Sequence, residues 1–465
     1  MEDKEEQELN YNLKELVPLI IDFTNKFVSI NKIVPKRKAD YVYFTIESIT
    51  YEKTGLKINN QSAKIVTKEE VNSNILYLAI LPEIKKTYID NINKINEILN
   101  KYGQVQYVDN FISRIIGEIL KKPEFKSEEA DRIIEIFVKQ LKNATLHFTS
   151  KIEMEGIILT DETPIEININ NTKLIFRRPV KEDLEQEDTI TKRLYSPPWA
   201  IMDIAPITLV VDVSMEAEYG QYVQHVVLKL LTALRLFGVG SVCYSRYNIN
   251  TEWVAQILSG GVFFNRYGTF NISNRYEIKG SDARILEQFC TTIFSKLSDN
   301  GDVGDRLSYK NFAFERYTDS LTKFNIPERR IAETVMGLES LYINNGNGEL
   351  RFRVSTLASR VIGLLEYDDA LYANKLLRYA YDIRSQFVHG NLMNKEERAK
   401  LIKQYESEDK FLSKLLDYLR LSIIVYLLTV TNKDTFLELL SDSLVNAKKE
   451  EELIATHIKP AKEIL

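Results

Sequence analysis

Of the four histidines in this 465-residue chain, one has a charged companion at a spacing that can do chemistry. It is His389 in "RYAYDIRSQFVHGN", residues 378–391, five residues after Arg384 and directly before Gly390 and Asn391. Imidazole is the side chain whose proton moves near neutral pH. A guanidinium is always charged and forks onto phosphate oxygens. Together such a pair can cleave RNA without a metal. One group withdraws the proton of a ribose 2′-hydroxyl or protonates the leaving 5′-oxygen, while the cation stabilises the charge building on phosphorus. At a helix C-terminus His389 feels a dipole favouring its protonated form, which Arg384 nearby opposes. The plain alternative is a histidine that simply closes a helix.

The element that carries the pair decides whether they can meet. A helix over this stretch buries Leu376, Ala380, Ile383 and Phe387. At about 100° per residue, Arg384 falls about 80° to one side of that stripe, and His389 about 140° from Arg384. His389 shares its face with Asp382 and Ser385. The two groups are therefore not neighbours on a regular helix. Either the helix loosens at "VHGN", where Gly390 can take the left-handed conformation, or the groups meet across a symmetric dimer.

Two helices precede this one. The first is opened by a capping box of Asn325 and Glu328 with Pro327 in its first turn, and carries the stripe Ile331, Val335, Leu338, Leu341. The second carries Val354, Leu357, Ala358, Val361, Ile362 and Leu365, and "YDD" at 367–369 breaks it and caps the next. Asn394 with Glu397 forms another capping box, opening a long helix or helix pair to about residue 430. "KDTFLELLSDSLVNA" closes the series. The apolar run "LSIIVYLLTV" at 421–430 suits a buried core helix and is too short to span a bilayer.

With these helices in order, the segment resembles the R-x4-H motif of HEPN domains, and more narrowly the Apea-like HEPN group. The resemblance covers about residues 305–445 and rests on "IAETVMGLESLYI", "ELRFRVSTLASRVIGLL" and the "IRS…VHG" helix. It implies an all-α fold, metal-independent endoribonuclease activity with no cofactor, RNA as partner, and a homodimer whose two R-x4-H helices line one cleft. Carried over, Arg384 and His389 are the catalytic pair, and each imidazole sits near the partner copy's arginine. Asp382 would orient His389. Ser385 stands where many HEPN domains have Asn, Asp or His, so its helper role stays open. Glu339 matches an acidic position of the group's second helix. HEPN toxins silenced by AMPylation carry a tyrosine where this chain has Asn391, so that control is not expected. Arg378 and Arg384 with their symmetry copies would collect positive charge for phosphates. The family also has members without nuclease activity, which leaves a second reading: a non-catalytic RNA-binding or dimerisation scaffold.

Before this region the texture differs. Residues 1–144 read as mainly helical, as in "LKELVPLIIDFTNKFVSI" and "IDNINKINEILNKYG", with a strand segment in "ADYVYFTIESITYEK". Residues 145–300 read as a mixed β/α domain that could sense a trigger: strands in "ATLHFTSKIEMEG", "PIEININNTKLIFRRP" and "APITLVVDVSMEAE", a helix in "GQYVQHVVLKLLTALRLFG", and a strand-like "GGVFFNRYGTFNISNRYEIKG". "KEDLEQED" reads as a loop and "SDNGDVGD" at 298–305 as a linker to the all-α part at 301–465. The expected class is α+β.

Other candidates are weaker. Tyr244, Arg246, Tyr247, Trp253, Phe263, Phe264, Arg266, Tyr267, Arg275 and Tyr276 interleave aromatics with cations, as a single-strand binding surface does, and as half-buried strands do by default. Asp203, Asp212, Glu216 and Glu218 lack the lysine a metal nuclease would need, Asp212 alternates with Val211 and Val213 as a solvent face would, and no metal site is expected. His147 and His225 have no ligand-spaced companions, and His457 lies in a charged tail. Phosphate-binding glycine loops and G-x-S-x-G are absent. Cys243 and Cys290 are too few for a disulfide framework. A net charge of −5 excludes a generally basic nucleic-acid wrapper but permits a local basic groove. The acidic start, "MEDKEEQELN", has no signal-peptide pattern, so the expected setting is the cytoplasm, in an anti-phage defence or toxin role with a phage-derived trigger.

Overall fold

The computed structural model describes residues 3–30, 48–52, 55–59, 73–101, 107–121, 124–142, 146–180, 183, 207–217, 221–251, 262–264, 275–323, 326–344 and 348–465. The fold is α+β, with helices first, a sheet in the middle and helices last.

Five helices open the chain: α1 (Asp3–Ile30), α2 (Ser73–Thr87), α3 (Ile89–Asn100), α4 (Tyr107–Lys121) and α5 (Ser127–Leu141). Their helical spacing puts Leu9, Leu13, Leu16 and Val17 of α1 against Phe111, Ile112 and Ile115 of α4 and Phe137 of α5, all buried. The expected strand survives as β1 (Ser48–Glu52), paired antiparallel with β2 (Gly55–Asn59); the rest of residues 39–53 lies outside the described residues.

The middle part is a six-stranded sheet of antiparallel pairs in the order β5-β6-β7-β3-β8-β9. These are β3 (Leu146–Glu155), β5 (Ile165–Ile169), β6 (Thr172–Arg177), β7 (Leu209–Ala217), β8 (Cys243–Thr251) and β9 (Val262–Phe264). Alternate residues such as Ile165, Ile167, Leu174, Phe176, Val211, Val213 and Ile152 point into the core. The "NN" turn joins β5 to β6, with Asn170 at φ 54°. Helices α6 (Gln221–Phe237) and α7 (Ala283–Phe294) pack together and against the sheet. The stretch "GGVFFNRYGTFNISNRYEIKG" is not one strand. It contributes β9 to the large sheet, while β10 (Tyr276–Ile278) pairs in parallel with β4 (Ile157–Leu159).

The C-terminal helices are α8 (Tyr309–Thr322), α9 (Pro327–Tyr342), α10 (Leu350–Leu364), α11 (Ala370–Val388), α12 (Lys395–Tyr405), α13 (Glu408–Thr429), α14 (Lys433–Asp442), α15 (Ala447–Leu453) and α16 (Lys459–Lys462), with a π-helical turn at Ile454–Ile458. The stripes expected on α9 and α10 are buried, and so is most of "LSIIVYLLTV" on α13. Asp369 caps α11, and Asn394 with Glu397 forms the expected box on α12. Three expectations need correction. Ile326 is the N-cap residue of α9 and Glu328 is drawn into another interaction, described below, while Asn325 lies outside the described residues. Phe387 is only half-buried, because α11 is running out of neighbours at its end. His457 is not in a free charged tail: its Nδ1 lies 3.0 Å from Thr429 Oγ1 and its ring stands edge-on to Phe436.

The residues between sheet and helices are packed tightly rather than loosely linked. Thr232 Oγ1 donates to Gly301 O at 2.8 Å, and Val303 is buried. Gly301 has φ +76°, and a Cβ there would stand 2.8 Å from Leu228 O, so the close approach to α6 requires glycine. The last carbonyls of α6 cannot bond within their helix. They are taken up by the C-terminal helices: Tyr317 Oη donates to Arg235 O (2.9 Å), and Arg420 Nη1 to Leu236 O (2.8 Å) and Phe237 O (3.1 Å). Arg420 is only 8% exposed and its Nε bonds Asp417 at 2.7 Å. A cation at a helix C-terminus is favoured by the dipole as well. Among the described residues, no helix is long and apolar enough to cross a membrane.

Two outcomes follow. Arg420→Met strands two buried carbonyls and Asp417, and should lower the unfolding free energy by about 3 kcal/mol in urea titrations, with Arg420→Lys losing less. Burial lowers the His457 pKa. A depressed histidine pKa means the unfolded chain binds the proton more readily. Its contribution is therefore full above about pH 6.5 and is lost as pH falls through the folded value. Melting temperature should drop more steeply below pH 6.5 in the wild type than in His457→Gln.

Candidate active site

Helix α11 ends on the residue of interest. His389 is its C-cap, and its N–H still bonds back to Ser385 O (3.3 Å) and Gln386 O (3.1 Å). Gly390 follows at φ +84°, donating to Phe387 O at 2.9 Å, and Asn391 donates to Gln386 O at 3.0 Å. This pair of bonds is the Schellman termination that a left-handed glycine makes possible. The helix is therefore regular up to His389 and does not loosen at "VHGN". The offset of about 140° between Arg384 and His389 persists. The His389 side chain is exposed, and among the described residues it has no hydrogen-bond or ion-pair partner.

Arg384 lies on the inner flank of α11, where its Nη2 meets Glu339 Oε2 of α9 at 3.0 Å. Its guanidinium also stands over the Tyr381 ring, 5.6 Å from the centroid. Burial raises the Tyr381 phenol pKa above its ordinary value, and the neighbouring Glu339 carboxylate adds to that. Glu339 thus balances the charge of Arg384. The structure does not bring Asp382 to His389. Its carboxylate bonds Arg351 of α10 at 2.5 Å, because the antiparallel α10–α11 hairpin lays an arginine beside it. Ser385 contributes its carbonyl to the His389 cap, and Asn391 is exposed beyond it. Arg378 is half-buried over the Phe352 ring, 5.7 Å from the centroid.

One residue matters here that sequence reasoning placed elsewhere. Glu328, 1% exposed, turns away from its expected capping role and accepts from Met393 N at 3.3 Å. Arg398 bonds the same Glu328 oxygen and holds Glu408 with its other amino group at 2.7 Å. Gln386 reaches Glu397 Oε1 at 3.2 Å, and Tyr379 Oη reaches Glu397 O at 3.2 Å. The turn after His389 is therefore pinned from α9, α12 and α13 at once. Nothing in the local pattern distinguishes Glu328 from a capping glutamate, since its partners lie 65 and 70 residues away.

Among the described residues, the remaining candidates do not converge on this site. Arg246 lies on β8 opposite Phe264 and Glu153, while Arg266 and Tyr267 lie outside the described residues, as do Trp253, Asp203 and Glu218. Tyr247 is buried, and Tyr276 donates to Leu234 O at 2.7 Å, so these two rings serve the core rather than an open stacking surface. Asp212 does not simply face solvent: Arg177 binds it at 2.6 Å and Asp183 at 2.6 Å, with Lys151 on Asp183 at 2.9 Å. Burial pushes the Asp183 carboxyl up, but these cations outweigh it and hold it well below the usual carboxylate range. His147 pairs with Glu216 at 3.2 Å. Among the described residues, no group of three or more His, Cys, Asp and Glu side chains is placed to hold a metal ion. Cys243 and Cys290 are both buried, and neither is in a disulfide.

No family model, no curated protein and no solved structure matches the chain.

Removing the pin on the His389 turn should be measurable. Glu328→Ala leaves the buried Met393 N–H without its acceptor and Arg398 with Glu408 alone, at a cost of about 2 kcal/mol in unfolding free energy. Amide exchange at Met393 should accelerate in the same variant. Unchanged exchange there would mean the turn is held by its own cap.

Proposed function

We propose that this chain is an endoribonuclease of HEPN type that cuts RNA without a metal, with Arg384 and His389 drawn from two copies of the chain. The observation that carries this reading is the state of His389: an imidazole held at a rigid helix end, free in solvent, and unable to reach Arg384 of its own chain. The order of α9, α10 and α11 with their buried stripes supports it further. In the reaction, His389 takes the proton of the ribose 2′-hydroxyl as its oxygen bonds to phosphorus. The P–O5′ bond then breaks, the leaving oxygen takes a proton from a solvent water, which the imidazolium's proton then makes good, and the guanidinium stabilises the charge on the phosphorane oxygens. The products are a 2′,3′-cyclic phosphate and a 5′-hydroxyl. Arg384 exchanges Glu339 for phosphate during this step. A nuclease of this kind must be restrained, which gives residues 1–300 a regulatory role in anti-phage defence or as a toxin responding to a phage-derived trigger in the cytoplasm.

A second reading has its own observation. The Arg384–Glu339 ion pair already neutralises the guanidinium within one chain, as a purely structural arginine would be neutralised. On that reading the helices form an RNA-binding or dimerisation scaffold.

Total RNA incubated in EDTA separates the two. Wild type, with or without phage lysate as trigger, should cleave it, and His389→Ala and Arg384→Ala should each lose at least about 100-fold. Mixed and re-equilibrated, the two inactive variants should recover about a quarter of the activity, because heterodimers carry one intact composite site. Silence of the mixture would show that the pair does not act between chains, and intact RNA in every lane would favour the scaffold.

A further inference from the structure

We propose that the outer face of the α10–α11 hairpin is a track for single-stranded RNA, with Phe352 stacking a base and Arg351 and Arg378 holding phosphates. As a route to cleavage it rests on the nuclease reading; as a binding site it stands without it. On α11, Lys375, Arg378, Asp382 and His389 follow one another at three, four and seven residues, which places them along one face. From Arg378 to His389 the face runs about 16 Å, the length of a few nucleotides. Lys375 is exposed, and Arg378 has no carboxylate partner among the described residues.

Phe352 marks the start of this line. It is 51% exposed, an aromatic ring left in water beside the Arg378 guanidinium, while Val354, Leu357 and Ala358 further along α10 are buried in the core. Arg351 stands next to it and, among the described residues, is tied only to Asp382, in a pair whose side chains are 49% and 46% exposed. Such an exposed pair contributes little and is readily exchanged for a phosphate. An open ring flanked by cations is the arrangement that grips an unpaired strand, since every base has a π-face and stacking needs no sequence. A duplex keeps its bases stacked on each other and cannot offer one to Phe352.

The test uses the full chain carrying His389→Ala, in EDTA, with a short fluorescein-labelled oligoadenylate and a duplex of the same length followed by anisotropy. Phe352→Tyr, which keeps an aromatic face, should bind as the parent does. Phe352→Leu, apolar but unable to stack, should bind about tenfold more weakly. Arg351→Gln and Arg378→Gln should each reduce the slope of log affinity against log salt by about one. Binding by Phe352→Leu equal to the parent, or preference for the duplex, overturns the track; the first result would mark the face as an apolar protein-docking surface. Wild type that leaves RNA intact while Phe352-dependent binding persists refutes cleavage and supports the track.

Discussion

Everything proposed for this protein turns on the regularity of one helix end. Because α11 keeps its backbone bonding up to His389 and then stops at a left-handed Gly390, the imidazole is presented to solvent at a fixed angle. The same regularity forbids it from meeting Arg384 of its own chain. A looser helix would allow an internal pair and remove any need for a second copy. On the proposed reading, the rigid one leaves half a site per chain and so would tie chemistry to assembly.

That helix end is not rigid on its own account. A carboxylate from α9, an arginine from α12 and a glutamate from α13 converge on the turn that follows, and the backbone of Met393 is one of the groups they satisfy. A buried Glu328 would be costly without Arg398, so the cluster stands or falls as a unit. On the other side of α11, Glu339 holds Arg384. The two groups proposed to act on RNA are therefore treated oppositely: the base is left free and the cation is kept balanced until something more anionic than a single carboxylate arrives.

The middle sheet is joined to this apparatus through polar caps rather than a flexible tether. The final carbonyls of α6 are satisfied by Tyr317 and Arg420, and α13, which carries Arg420, also packs against α9, α10 and α11. A change in the position of α6 would be felt by the helices that form the site. This gives the expected regulatory role of residues 1–300 a physical route, through a buried arginine whose charge cannot be switched off.

How much of this was legible beforehand depends on range. The stripes of α9 and α10, the caps at Asp369 and Asn394, the left-handed Gly390 and the "NN" turn all depend on residues within a few positions of each other, and local pattern suffices for such features. The α+β class followed from the same periodicities. What sequence reading could not foresee was the pairing of charges: Glu328 with Arg398 rather than with its own helix start, Asp382 with Arg351 rather than with His389, Asp212 with Arg177 rather than with water. A carboxylate has no periodicity and takes the nearest cation once the chain has folded. Which cation is nearest depends on how helices cross and how strands register, and those are set by the packing of the whole core.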